Sequence, residues 1–176
     1  MELSPTAKVI LGMLSMGPKS GYEIKALVDR STRFFWAASY GQIYPELSRL
    51  EREGLVESED ASNGARRRRV YSLTDAGREA LADWLLGRTV TIELRDESLL
   101  RLFFADALPR EQALALLEGR KRGHEAYLEV LHAIDAIPGK DPDFVDLVLH
   151  WGIDFNQWGA EWCEKQLRQL RAKKAA

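Results

Sequence analysis

The fold of this chain is decided by residues 39–54, which read SYGQIYPELSRLEREG. Ser39 favours the start of a helix, and Gln42 follows it three residues later, which is the spacing of a capping box. The apolar side chains then recur at helical spacing, at Ile43, Leu47 and Leu50. The pattern predicts one amphipathic helix whose apolar side packs inward.

The opposite side of this helix carries groups suited to DNA. At about 100° per residue, the positions that face away from the apolar side are Gly41, Gln42, Pro45, Arg49 and Arg52, with Tyr40 and Tyr44 at the boundary. Gln42 can bond adenine through both amide atoms, and Arg49 can reach guanine or a phosphate. We therefore predict a helix that reads the major groove; an ordinary amphipathic helix with a solvated outer side is the alternative.

The segments around this helix complete a known order of elements. Two helices precede it, starting at Ser4 and at Ser20. After it, residues 55–59 and 69–73 read as two short strands of a hairpin, and Thr74 then begins a further helix. Three helices, a two-stranded hairpin and another helix are the order of a winged helix-turn-helix.

The longest basic run of the chain lies where this hairpin enters its second strand, at Arg66, Arg67, Arg68 and Arg69. Like charges placed this closely repel one another unless an anion is near. At the tip of a wing they could straddle the minor groove and neutralise phosphates. The alternative is a solvated charge run without a partner.

The second half of the chain reads as helices after a linker at 87–93. The spacing predicts helices over 99–108, 110–137 and 142–173. In the last of them large apolar residues repeat at spacings of 4, 3, 4, 3 and 4, at Phe144, Val148, Trp151, Phe155, Trp158 and Trp162. We call this row the seam. A short domain cannot cover such a row by itself, so the seam predicts a homodimer.

The helix over 110–137 carries polar groups within an apolar stripe. Arg120, His124 and Tyr127 follow one another at spacings of 4 and 3 and share a face. They predict a pocket for an anionic or aromatic effector, with an aromatic wall from Trp151, Phe155 or Trp158. The alternative is structural: Arg120 pairs with an acid of the last helix, and His124 is a satisfied core or surface histidine.

Composition and motifs argue against an enzyme. The 176 residues carry a formal net charge of -2 and a single cysteine, Cys163. No nucleophile elbow, phosphate-binding loop, dinucleotide fingerprint or close metal-ligand spacing occurs, so we predict no catalytic residue, no metal and no cofactor. Apolar runs are far shorter than the ~20 residues of a membrane span, and the N-terminus lacks the features of a secretory signal, so we expect a cytoplasmic protein.

Four stretches resemble the PadR family of bacterial transcriptional regulators. They read GYEI at 21–24, GQIYPEL at 41–47, LEREGLV at 50–56 and VYSLTDAG at 70–77. The match is strong over about residues 3–86, and the helical remainder resembles the C-terminal dimerisation domain of the longer members. The tyrosine-proline pair within the helix is the most specific feature.

The resemblance implies a mainly α fold, a winged helix-turn-helix followed by an α-helical dimerisation domain. It implies a homodimer that represses transcription until a small molecule relieves it. Carried over by position, it places three residues in the groove or on its phosphates, namely Tyr40, Gln42 and Tyr44. It places three more on the wing, namely Arg68, Arg69 and Tyr71.

We therefore expect a DNA-binding domain over 1–88 and a dimerisation and effector domain over 94–176. The expected partner is double-stranded operator DNA with an inverted repeat. The alternative function is a winged-helix module that binds protein or senses an effector without binding DNA. Salt-dependent binding to a palindromic duplex separates the two.

Overall fold

The computed structural model describes residues 2–61, 68–88, 95–137 and 144–173, with the backbone alone at Phe34. The chain divides into two compact units, the N-terminal unit Met1–Ile92 and the C-terminal unit Glu93–Ala176. The predicted fold class is confirmed: the chain is mainly helical, with a winged helix-turn-helix followed by a helical unit.

The N-terminal unit contains four helices and one hairpin in its described residues. The elements are α1 (Pro5–Ser15), α2 (Gly21–Arg30), α3 (Tyr40–Arg52), β1 (Val56–Asp60), β2 (Arg69–Leu73) and α4 (Asp75–Leu85), with a short 3₁₀ turn at Thr32–Phe34. Side-chain caps fix the helix starts, because Ser4 accepts from the Ala7 N–H and Ser20 from the Glu23 N–H.

The wing, formed by β1 and β2, is an antiparallel pair in the register Val56↔Leu73. A further bridge joins Lys19 to Tyr71, so the loop before α2 lies against the outer edge of β2. β1 starts one residue later than predicted, because the Leu55 N–H donates to the Leu50 carbonyl and thereby closes the end of α3. The predicted turn at 61–64 lies mostly outside the described residues.

One hydrophobic core fills the N-terminal unit. α1 contributes Ile10, Leu11 and Leu14, and α3 contributes Ile43, Leu47 and Leu50 as the spacing predicted. Burial of side chains of this size contributes roughly 1.5–3 kcal/mol each. This core fixes which side of α3 faces outward.

The C-terminal unit is built from α5 (Glu97–Phe103), α6 (Arg110–Asp135) and α7 (Phe144–Ala172), with a 3₁₀ turn at Ala105–Ala107. α5 begins two residues earlier than predicted, because Asp96 accepts from the Leu99 N–H as its N-cap. The predicted linker at 87–93 and the predicted start of the last helix at 142 fall largely outside the described residues.

The core of the C-terminal unit is thin. Leu117 of α6 packs on Cys163 and Leu167 of α7, with Leu102, Leu114 and Leu170 beside them. The α7 side that packs on α6 therefore differs from the seam. The seam residues stay largely open, with Trp151 60% and Trp158 59% exposed.

Candidate functional site

Three tyrosines form a stacked row on the outer surface of the N-terminal unit. Tyr22 at the start of α2 lies 6.4 Å from Tyr40, and Tyr40 lies 6.2 Å from Tyr44, measured between ring centroids with planes 18° apart. We call Tyr22, Tyr40 and Tyr44 the tyrosine ladder. The Lys25 ammonium lies 5.5 Å from the centre of the Tyr40 ring, which adds a cation–π contact.

Close packing of the two helices sets the position of this ladder. A Cβ on Gly21 would lie 2.7 Å from the Tyr44 ring and 3.3 Å from the Leu47 side chain. Only a residue without a side chain allows α2 to begin this close to α3. The glycine of the GYEI stretch therefore leaves the space that the Tyr44 ring occupies.

Tyr22 was not predicted as a site residue. It is the most exposed member of the ladder, at 65%. The available signal was its position, because Tyr22 stands in the first turn of α2 and the first helix of a helix-turn-helix crosses the DNA backbone.

Gln42 serves the helix itself in this structure. Its Oε1 accepts hydrogen bonds from the Ser39 N–H at 2.9 Å and from the Ser39 hydroxyl at 3.0 Å. A bidentate bond to adenine needs this same oxygen as acceptor. Contact with a base would therefore replace the capping interaction, whereas the amide NH₂ can donate without disturbing it.

Arg49 is held by acids on its own helix, which differs from the outward reach that the sequence predicted. Its guanidinium donates to Glu46 at 2.7 Å and to Glu53 at 2.7 Å, and Glu46 also accepts from the Ser4 hydroxyl. The hydrogen bond to Glu46 raises the pKa of Arg49 further above its ordinary value. This network ties α3 to the start of α1, and a DNA contact from Arg49 would have to break it.

The wing arginines are only partly described. Arg66 and Arg67 lie outside the described residues. Arg68 forms an ion pair with Glu23, and the Arg69 guanidinium donates to Glu51 at 3.0 Å and lies 5.8 Å from the centre of the Tyr71 ring. Both arginine side chains remain about half exposed.

The prediction that Tyr71 contacts DNA is corrected by the structure. Tyr71 is only 5% exposed and belongs to the core of the N-terminal unit. Its backbone exchanges hydrogen bonds with Lys19 at 2.9 and 3.0 Å, and burial raises the pKa of its phenol. Arg69 covers the ring, so Tyr71 supports the wing arginine from below.

In the C-terminal unit, Arg120 is paired, although with a different partner from the one considered in the sequence. Its guanidinium donates to the Asp96 carboxylate at 2.7 Å and to the Ser98 hydroxyl. Burial raises the pKa of Asp96, but hydrogen bonds from Ser98 and Arg120 outweigh it and lower that pKa to about 2. Arg120 thus holds the N-cap of α5 instead of an acid on the last helix.

His124 is a satisfied core residue between α6 and α7, as the structural alternative held. It is 9% exposed, and its Nδ1 is 2.9 Å from the Asn156 Oδ1. A Cβ on Gly159 would lie 2.6 Å from the ring, so the imidazole occupies the space that this glycine leaves. With Arg120 and His124 both engaged, the predicted effector pocket is not formed around them in this structure.

The other predicted effector residues lie on the outside of the C-terminal unit. Trp151 stacks on Phe155 with centroids 5.4 Å apart, and Phe155 lies 6.3 Å from Trp158. The Phe155 and His124 rings form a T-shaped pair with centroids 6.0 Å apart, and Tyr127 on α6 is half exposed. The predicted aromatic wall of Trp151, Phe155 and Trp158 is therefore an exposed surface of α7.

Asp135, Asp146 and His150 bring possible metal-ligand atoms within 4.8 Å of one another, where the described parts of α6 and α7 face each other. The His150 Nδ1 lies 3.0 Å from the Asp146 backbone oxygen, so contacts within one turn of α7 account for its position. Exposed acidic groups of this kind are common without an ion, and the expected absence of a metal stays a prediction. Throughout the described ranges, each helix is too short or too polar to cross a membrane.

Two family models match the chain in succession. The transcriptional regulator PadR-like family matches residues 10–83, and the family described as virulence activator alpha C-term matches residues 94–171. The boundary between them falls at the division between the two compact units.

Similar proteins cover nearly the whole chain. The negative transcriptional regulator PadR of Bacillus subtilis (strain 168) is 30% identical over an alignment of 172 positions that covers 92% of this chain and 94% of that protein. The crystal structure of Bacillus subtilis PadR in complex with operator DNA has a TM-score of 0.85 at 29% identity, covering 97% of this chain and 99% of that one. Its complex with p-coumaric acid has a TM-score of 0.77 at 29% identity, covering 96% and 99%. The resemblance found in the sequence is thereby confirmed, and the chain belongs to the PadR-like family of transcriptional regulators.

Proposed function

We propose that this chain is a homodimeric repressor that binds operator DNA through its winged helix. A small aromatic or anionic ligand releases the repressor from the DNA. The observation that carries the proposal is the tyrosine ladder, exposed at the N-terminal end of α3 where a groove-reading helix meets base edges. The Bacillus subtilis relative has been crystallised with operator DNA, which supports the same role here.

In this proposal the start of α3 does the reading. Tyr40 and Tyr44 contact the groove edge or its phosphates through their hydroxyls, and Tyr22 adds a phosphate contact from α2. Gln42 donates its amide NH₂ to a base, and it accepts from adenine only if the cap at Ser39 opens. Loss of such a cap costs about 1 kcal/mol. A good bidentate contact between a side chain and a base contributes about 1–3 kcal/mol, which equals or exceeds that cost.

The wing supplies charge. Arg66, Arg67, Arg68 and Arg69 neutralise phosphates, and Tyr71 supports Arg69 from within the core. Arg49 is left out of the proposed contact set, since two carboxylates already hold it.

The seam supports the homodimer. Its tryptophans lie on the side of α7 that does not pack on α6, and exposed apolar surface of this size marks an interface. A two-fold dimer places two α3 helices about one helical turn of DNA apart, about 34 Å, which an operator with an inverted repeat matches.

The same aromatic surface is the proposed effector site. Trp151, Phe155 and Trp158 offer stacking faces, and the p-coumaric acid complex of the Bacillus subtilis relative supports an aromatic acid as the ligand class. His124 meets this surface at the Phe155 ring, and Tyr127 on α6 is half exposed; Arg120 would reach a ligand only by leaving Asp96. A ligand releases DNA only if it binds the released arrangement of the dimer better.

The proposed regulator acts without a catalytic residue, metal or cofactor. Its operator places it in the cytoplasm. A winged-helix module that binds protein instead of DNA is the competing function, and the acidic partners of the wing arginines are the observation that favours it.

One binding experiment separates these functions. Fluorescence anisotropy measures affinity for a selected inverted-repeat duplex and for a random duplex over about 50–200 mM salt. Over this range a protein with 6–10 phosphate contacts loses roughly 10³–10⁵-fold in affinity. If the chain is a repressor, its affinity for both duplexes should fall steeply as salt rises. A protein-binding module predicts little affinity for either.

Gln42→Ala tests base reading within that assay. We expect a loss of about 1–3 kcal/mol on the selected duplex and little change on the random one. Ser39→Ala is the control, because it weakens the same helix start while the Gln42 amide stays in place. Equal losses on both duplexes, or an equal loss in the control, would assign Gln42 to the cap alone.

The effector site is tested with p-coumaric acid as the probe. We expect it to quench tryptophan fluorescence and release DNA, and both effects to fall at least about tenfold in potency in Trp158→Ala, equivalent to about 1.4 kcal/mol. Trp84→Phe, in the other unit, should retain both. Ligand release that survives Trp158→Ala would place the site elsewhere.

A further inference from the structure

The start of α2 brings an acid against the wing. The carboxylate of Glu23 uses its two oxygens separately: Oε2 accepts from the Ser20 N–H and hydroxyl, both at 2.8 Å, and Oε1 pairs with the guanidinium of Arg68. One side chain therefore closes the capping box of α2 and holds the first described arginine of the basic run.

The second described wing arginine is held in the same way. Glu51 of α3 accepts from Arg69 at 3.0 Å and from the Ser58 hydroxyl. Each of these two arginines thus meets an acid from one of the two helices of the helix-turn-helix. The tyrosine ladder starts at Tyr22, the neighbour of Glu23, so the acid lies at the edge of the proposed DNA surface.

The charge on Glu23 is permanent. Hydrogen bonds from Arg68 and Ser20 lower its pKa to about 2, so the carboxylate is ionised at any ordinary pH. The pair is also open to water, with both side chains about half exposed. Exposed ion pairs are weak, so a phosphate can displace the carboxylate, although it must first compete with it.

We propose that Glu23 sets the DNA affinity of this protein by holding Arg68 as its counterion in competition with DNA phosphates. The inference rests on the proposed DNA-binding function and adds a residue to it. Glu23 acts through Arg68 on the phosphate backbone, which carries no sequence information. It therefore lowers affinity for the operator and for random DNA by the same factor, and leaves their ratio unchanged.

Such a counterion has a physical use. Phosphate contacts supply nearly all non-specific binding, and a wing with four free arginines would hold any duplex. Masking part of that charge keeps the operator complex weak enough for a ligand to release. Glu51 has the same relation to Arg69, so its removal should act in the same direction.

The test is Glu23→Gln in the full-length chain. Glutamine also completes a capping box, so the helix start is preserved while the charge is removed. We expect affinity for both duplexes to rise about three- to tenfold at low salt, with the gain shrinking as salt screens the pair. Glu79→Gln on α4 changes the net charge equally and should leave affinity unchanged.

A double-mutant cycle identifies the route. In an Arg68→Gln background, Glu23→Gln should have no further effect, because the competed group is gone. A gain that persists there, or a gain equal to that of Glu79→Gln, overturns the proposal, and so does a fall in affinity. Lack of duplex binding by the wild-type chain would instead contradict the proposed function itself.

Discussion

The two units of this chain differ in how far they bury their large apolar side chains within one copy. The N-terminal unit buries most of them in one core, although Phe35, Leu85 and Leu86 stay exposed, and it presents the tyrosine ladder outside. The C-terminal unit buries few and leaves the tryptophans of α7 open. The core of the N-terminal unit forms within one copy of the chain, whereas the seam of the C-terminal unit is left uncovered in a single copy.

This difference separates the roles of the units. A unit with a finished core can offer a rigid, paired polar surface to DNA, since its fold does not depend on the contact. A helix with an open apolar seam gains further stability when a partner covers the seam. In the proposed function, DNA meets the first surface, and a second copy meets the other.

Helix packing differs between the units in the same sense, because each unit contains a glycine whose added Cβ would clash with a neighbouring element. A Cβ on Gly77 of α4 would lie 1.9 Å from the Leu55 backbone oxygen, whereas one on Gly159 of α7 would meet the ring of His124 at 2.6 Å. Backbone cannot move aside cheaply, and a side chain can turn. The same substitution should therefore cost more in the N-terminal unit.

Gly77→Ala is the larger expected effect. The Leu55 oxygen also accepts the Thr74 N–H, so the clash strikes the junction of β1 and α4. We expect a loss of about 3 kcal/mol in the free energy of unfolding of this unit, read by urea-dependent hydrogen exchange. Gly12→Ala on α1 is the control, since its Cβ meets nothing within 4 Å, and it should be neutral or slightly stabilising.

Gly159→Ala should cost less, about 1–2 kcal/mol, confined to amides of α6 and α7. The imidazole must shift and weaken its hydrogen bond to Asn156. Gly123→Ala, beside His124 on α6, has open space for its Cβ and serves as the control. A cost at Gly159 that matches or exceeds the cost at Gly77 would mean that the helical unit is the more rigid of the two.

The sequence predicted what depends on periodicity. The buried side of α3, the wing and the open seam of α7 all follow from residue spacing, because burial repeats with the geometry of the element. Gln42 and Arg49 show the limit of that reasoning. Their partners Ser39, Glu46 and Glu53 stand at capping-box, i−3 and i+4 positions. The sequence spacing therefore indicated pairing within the helix as well as an outward-facing side chain.

Other partners depend on the tertiary fold. Tyr71 and Arg69 are two residues apart on one strand and share a face, yet the ring enters the core while the longer arginine covers it. Arg120 meets Asp96 because α5 folds back beside α6, and His124 fits the gap at Gly159 on α7. No spacing within a single helix encodes either contact.

Binding of operator DNA as a two-fold dimer is tested most directly by the mass of the DNA complex, measured by sedimentation on an inverted-repeat duplex and on a half-site. Two chains should bind the full repeat together, and the half-site should bind at least about 100-fold more weakly, equivalent to about 2.7 kcal/mol. Trp158→Glu, which places a charge in the seam, should yield a folded monomer limited to half-site affinity. A single chain bound to the full repeat, or a Trp158→Glu protein that stays dimeric with unchanged affinity, would contradict the account.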